Sequence, residues 1–165
     1  MRSKKFALIG GSLMMILGLF ALIPTLSVYS ETLPALNLEA SYGYFLGIFP
    51  MNIVSKTVLI LFGIAGISAS NANTMGVTDH NISLKENISI NDSKPSIIWA
   101  RVVLFAMGAL ALLGIFDQTA TFGGYYPLFG SMVWLNALFA VFGGYFGYAA
   151  RTEKSGGRHN ILRRV

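Results

Sequence analysis

Apolar residues gather in four long blocks along this chain, with short polar stretches between them. The blocks cover residues 6–28, 51–68, 97–116 and 132–150. Each lies near the ~20 residues that an α-helix needs to cross a bilayer. The pattern therefore predicts an all-α protein, a four-helix bundle in which every helix spans the membrane. The first block has a rival reading as a cleaved signal peptide, with Val28-Tyr29-Ser30 as its cleavage site. Its apolar stretch, residues 6–23, exceeds the usual ~7–15-residue signal core, which favours a span.

The connecting segments differ in character. Residues 29–50 carry Glu31 and Glu39 and no Lys or Arg, and end in the aromatic run Tyr42 to Pro50. Aromatic rings sit well at headgroup level, so this run is expected to lie in the membrane interface. Residues 71–96 are rich in Asn and Ser. They contain the echo Asn81-Ile82-Ser83 and Asn87-Ile88-Ser89, and a weak alternation over residues 82–90. A lone strand finds no partner there, so a mobile loop is expected. Asn-x-Ser matches at Asn81, Asn87 and Asn91 would matter only in a secretory lumen.

Composition supports a membrane setting. Hydrophobic residues make up 54% of the chain and charged residues only 12%, about half the ~25% of a soluble domain. Mean hydropathy is +0.62. The lipid bilayer is thus the first expected partner. The absence of cysteine excludes disulfide scaffolds, zinc–thiolate sites and thiol catalysis.

The net charge of +5 does not point to nucleic acid, because the basic residues flank apolar blocks instead of forming a stripe. Arg2, Lys4 and Lys5 precede the first block. Lys85 and Lys94 lie in the middle loop. Arg151, Lys154, Arg158, Arg163 and Arg164 form the tail 151–165. The positive-inside rule then places both termini and the middle loop in the cytoplasm. A bacterial inner membrane, or another energy-coupling membrane, is the expected setting. The basic tail reads as an orientation signal that also favours an anionic leaflet, by up to about 1 kcal/mol per charge.

The two halves echo each other. Ile16-Leu17-Gly18-Leu19-Phe20 parallels Leu113-Gly114-Ile115-Phe116, and residues 51–63 can be laid on residues 131–143, so that Lys56 meets Asn136. Either two parallel helical hairpins repeat, about an axis along the membrane normal, or apolar helices resemble one another by composition. Small residues mark a packing face on the last helix: Ala137, Ala140, Gly143, Gly144 and Gly147. Gly11, Gly18 and Gly66-x-x-x-Ser70 offer similar faces earlier. Such faces let helix backbones approach in lipid. They serve either the bundle itself or contact with a second membrane protein, whether a homo-oligomer or a larger complex.

Few polar groups lie inside the blocks. Lys56 sits about 7–8 Å below the start of the second block at 1.5 Å per residue. Asn136 lies at a similar depth in the fourth block, and Asp117 follows the third. Either Lys56 snorkels to water or lipid phosphate, or Lys56, Asp117 and Asn136 form a polar cluster lining an outer-side cavity. Arg101 is expected to snorkel inward, toward Asp92 or lipid phosphate. Tyr42, Tyr44, Tyr125, Tyr126, Trp134, Trp99, Tyr145 and Tyr148, near the block ends, are expected to be interfacial anchors. His80 and His159 are isolated, with no metal-ligand spacing, so no metal or other cofactor is expected. No base is placed to activate a hydroxyl. A non-enzymatic role is therefore expected, as a structural or accessory subunit. A small-molecule or ion-binding or transport role, with an outer-side polar cavity near Lys56, Asp117 and Asn136, is the alternative.

The run Phe49-Pro50-Met51-Asn52-Ile53-Val54, continuing to Phe62-Gly63-Ile64-Ala65-Gly66, resembles the second helix of a family of uncharacterised bacterial membrane proteins, a domain of unknown function. Gly130-Ser131-Met132-Val133-Trp134-Leu135-Asn136-Ala137 resembles the start of that family's last helix. The resemblance implies a four-helix bundle and no reaction. That family often carries His in its second and last helices. This chain has Ser55 or Lys56, Leu59 and Asn136 at the corresponding places, so the resemblance transfers no metal or redox role.

Overall fold

A computed structural model describes residues 2–72 and 94–149. Expectations about the middle loop, its three Asn-x-Ser matches, His80, Asp92 and the basic tail with His159 lie outside these residues. Four α-helices follow in order: α1 (Arg2–Ala21), α2 (Ile53–Asn71), α3 (Lys94–Leu113) and α4 (Ser131–Gly144). A π-helical turn, Tyr145–Ala149, prolongs α4. Each helix contributes a 19-residue stretch long and apolar enough to cross a membrane, which is about 28 Å at 1.5 Å per residue. Only 33% to 39% of each stretch is buried inside the protein, so the remainder is left for lipid.

The first helix is shorter than expected, because residues 22–28 leave it. Pro24 lacks an N–H and biases its predecessor to extended backbone, and Ile23 is extended at φ −73 and ψ 116. A 3-10 turn, Pro24–Leu26, then leads into a small antiparallel sheet that the hydrophobic pattern did not predict. Its strands are β1 (Ser27–Val28), β2 (Gly43–Phe45) and β3 (Phe49–Met51), with Val28 opposite Tyr44 and Phe45 opposite Phe49. The β2–β3 turn uses two left-handed residues, Leu46 at φ 53 and Gly47 at φ 70.

The sheet belongs to a cap over one end of the bundle. Its other part is the turn-rich segment 114–130 between α3 and α4. The two loops bond to each other: the backbone N–H of Asn37 and that of Leu38 donate to the Gly124 carbonyl at 2.8 and 3.3 Å.

Helices pair as two hairpins, α1 with α2 and α3 with α4, and glycine sets how closely each pair approaches. A Cβ on Gly63 would lie 2.6 Å from the backbone nitrogen of Met15 and 2.7 Å from the Gly11 carbonyl. A Cβ on Gly143 would lie 2.7 Å from the Ala100 carbonyl and 2.8 Å from the Leu104 nitrogen. Gly63 and Gly143 thus play the same part in the two hairpins, as the alignment of residues 51–63 on 131–143 requires. The first-helix half of the echo does not hold. Gly18 lies inside α1 against the Lys56 carbonyl, whereas Gly114 follows α3 and sits beneath the Leu128 carbonyl. By contact, Gly11 and Met15 correspond to Ala100 and Leu104.

Two reciprocal hydrogen bonds join the hairpins. Ser3 Oγ in α1 donates to the Phe146 carbonyl at 2.9 Å, and Ser96 Oγ in α3 donates to the Ala69 carbonyl at 3.0 Å. Trp99 fills the space between hairpins. Its indole N–H donates to the Phe62 carbonyl at 3.1 Å, and its ring packs on Phe6 and against Gly66. The core is continuous from the cap into the bundle, with Met14, Met51, Leu59, Val103, Met107, Leu128 and Met132 fully buried.

Candidate functional site

The polar residues of interest lie where the cap meets the start of α2. Asn52 is the N-cap. Its Oδ1 accepts from the Ser55 N–H at 3.1 Å, and Ser55 Oγ accepts from the Asn52 N–H at 3.0 Å. This reciprocal box satisfies donors that a helix start otherwise leaves open. The Asn52 Nδ2 reaches both loops, donating to the carbonyls of Tyr125 at 2.8 Å and Leu38 at 3.2 Å. The Ile53 N–H donates to the Ala40 carbonyl at 2.9 Å. Residues 37–42 therefore form a strap across the head of α2.

Lys56, one turn into α2, is 0% exposed. Its Nζ donates to the carbonyl and the hydroxyl of Ser41, each at 2.7 Å. Ser41 holds a left-handed backbone at φ 55. The side chain does run toward the helix end, as snorkelling predicts, but protein rather than water or lipid phosphate receives it.

Asn136 is 1% exposed, on the inward face of α4 with Met132, Phe139, Ala140 and Gly143. Among the described residues, its Nδ2 has no hydrogen-bond partner. Asp117 is exposed on the turn after α3. That helix ends at Leu113, where Gly114 tucks under Leu128, and the chain then carries Asp117 outward. Among the described residues, no hydrogen bond or ion pair links Lys56, Asp117 and Asn136. The structure buries two members of the expected cluster and leaves the third on the surface.

Two tyrosines of the cap are buried. Tyr42 donates its hydroxyl to the Pro34 carbonyl at 3.1 Å. Burial, aided by Tyr44, Glu39 and Tyr29, pushes its pKa up to about 12. Tyr126 is 5% exposed, and among the described residues its hydroxyl has no partner. Burial raises its pKa as well. These residues and Trp99 are core groups, not the interfacial anchors expected from their places near block ends. Trp134, at 77% exposure, and Tyr125, Tyr145 and Tyr148 do face outward.

The small-residue face of the last helix points into the bundle. Gly143, Gly144 and Gly147 abut Ala100, Leu104 and Arg101 of α3, and Ala140 lies across from Gly108. Ala137 is half-buried. Arg101 also differs from expectation. Its Nε donates to the Gly147 carbonyl at 3.1 Å, and its guanidinium carbon sits 4.4 Å from the centroid of the Tyr148 ring. Gly147 has no side chain to block this approach. A cation over an aromatic face gains about 0.5–1 kcal/mol at an exposed site.

Sequence reasoning missed the residues that close the cap. Asn37 Nδ2 donates to the Gly123 carbonyl at 2.9 Å, and Ser131 Oγ donates to the Ile48 carbonyl. The Asn52-x-x-Ser55 spacing was a usable helix-start signal; Asn37, Ser41 and Ser131 carried none. Among the described residues, no group of three or more His, Asp or Glu is placed to hold a metal ion.

No curated protein and no solved structure matches the chain. Residues 4–79 match the family model described as "Domain of unknown function (DUF4383)". That stretch, under half of the chain, takes in nearly all of α1, the sheet, the strap and α2, and is what in this chain is similar to that family.

Proposed function

We propose that this protein is a small non-enzymatic membrane protein, a structural or accessory subunit that packs against itself or a larger complex. One observation carries the reading: the polar side chains at the capped end are used in joining segments of the chain. Lys56 holds Ser41, Asn52 holds Leu38 and Tyr125, Asn37 holds Gly123, and Ser131 holds Ile48. Such a network makes a firm scaffold and leaves few groups for chemistry. The Lys and Arg distribution supports an orientation with both termini in the cytoplasm, in a bacterial inner or other energy-coupling membrane.

A second reading rests on the unpartnered Asn136 Nδ2 and Tyr126 hydroxyl. A buried polar group without a partner costs about 1–3 kcal/mol, and a small polar ligand accepting from either group would remove that cost. Extraction of the tagged protein in a mild detergent or polymer disc, followed by native mass spectrometry, separates the two. A stoichiometric protein partner, or a homo-oligomer, is the expected result. A monomer that retains a small mass, lost on Asn136→Leu, would replace the subunit reading with the ligand reading.

A further inference from the structure

We infer that the tip of the β2–β3 hairpin is a lipid-contacting element, with Leu46 and Ile48 entering the bilayer where acyl chains meet headgroups, beside the first turn of α4. This rests on the spanning role of the helices and is independent of any protein partner.

The tip presents apolar side chains that the protein leaves uncovered. Leu46 is 55% exposed and Ile48 is 56% exposed, whereas Phe45 and Met51 at the strand ends are 2% and 0% exposed. The tip is nonetheless held firmly. The Leu46 N–H donates to the Leu26 carbonyl at 2.8 Å, and the Ile48 N–H donates to the Phe45 carbonyl at 3.1 Å. Leu46 keeps a left-handed backbone at φ 53, a conformation that disfavours a leucine.

Its level follows from α4. The Ser131 hydroxyl bonds the Ile48 carbonyl, which ties the tip to the first residue of that helix. The described stretch Ser131–Ala149 has 19 residues and a length of about 28 Å, and the sequence turns basic at Arg151, so the apolar length barely matches the ~30 Å of the hydrocarbon core. Ser131 must then lie at the edge of the core if α4 spans it. Trp134, about 4–5 Å further along the helix, is 77% exposed, as suits an indole in the interfacial belt. The tip thus sits where exposed leucine and isoleucine meet lipid. The first loop has no Lys or Arg, so the contact is with acyl chains and glycerol backbone, not with an anionic headgroup.

The chain has no cysteine, so single cysteines can be labelled cleanly. Leu46→Cys, Ile48→Cys and, as an aqueous reference, Glu31→Cys would each carry an environment-sensitive fluorophore. The full-length protein would be reconstituted in phosphatidylcholine vesicles. Nitroxide lipids labelled near the headgroup end of the acyl chain are expected to quench positions 46 and 48 several-fold more than position 31. Iodide is expected to quench them several-fold less, with no change on adding anionic lipid. Ile48 lies outside the left-handed region, so its label reads the tip even where Leu46→Cys disturbs the turn. Iodide access at 46 and 48 equal to that at 31 would overturn the inference. So would shielding from iodide without lipid quenching, because that outcome means a second protein chain covers the tip.

Discussion

Lys56 places an ammonium in a fully buried position with two serine oxygens as its partners. Removing such a group from water costs several kcal/mol, while hydrogen bonds to a charged donor return about 1.5–3 kcal/mol each. The two terms nearly offset, so the bond's main effect is local: it pins the strap. Lys56→Met should change global stability by less than about 2 kcal/mol. It should speed amide exchange at Tyr42 and Ile53, whose N–H groups bond within and under the strap, by roughly 10- to 100-fold. Hydrogen-exchange mass spectrometry would read both, and unchanged exchange would mean that Ser41 is held without Lys56. Tyr42 gives a pH signature at the same scale. Its folded pKa of about 12 exceeds the ordinary ~10 of an unfolded chain. The stability it contributes is complete below about pH 10 and is lost as pH rises through about 12. Tyr42→Phe should cost about 1 kcal/mol at neutral pH, through the lost bond to Pro34, and should flatten the alkaline decline. Denaturation curves at pH 8 through 12 would show this.

The helices owe their pairing to glycine contacts that differ in tightness, and the difference can be measured. Gly143→Ala would drive a methyl group to 2.7 Å from the Ala100 carbonyl, whereas Gly108→Ala would meet only the Ala140 Cβ, at 3.7 Å. The first should destabilise by about 1–3 kcal/mol through overpacking. The second should be neutral or stabilise by up to about 1 kcal/mol, since alanine favours helix over glycine. Thermal unfolding in one detergent would rank them, and equal midpoints would refute the contact. Helix existence was legible in sequence because bilayer thickness fixes the length of each apolar block. Helix ends were less so: Pro24 stops α1 inside a block that remains apolar to Val28. The sheet was invisible because strands of two or three residues have no room for periodicity. Lys56 and Asn136 stood out as polar residues in apolar blocks, and both are buried. Ser41, the partner of Lys56, could not be found, because a strap 15 residues away brings it there through tertiary contacts alone.

At the scale of the molecule, two hairpins lean on each other through matched serine bonds, and a single cap closes one end. Under the proposed orientation that cap faces away from the cytoplasm. A membrane-impermeant thiol reagent should then label Glu31→Cys in intact cells and reach a cysteine added to the basic tail only after permeabilisation. The opposite pattern would invert the topology while leaving the fold as described. The interlocked loops also have a consequence in time. Asn37 bonds Gly123, 86 residues later in the chain. At 5–20 residues per second, a ribosome leaves the first loop waiting roughly 4–17 s for its partner. During that interval the strap is held by α2 alone, through Asn52, Ile53 and Lys56, and the cap can close only after the segment 114–130 has been delivered to the same side.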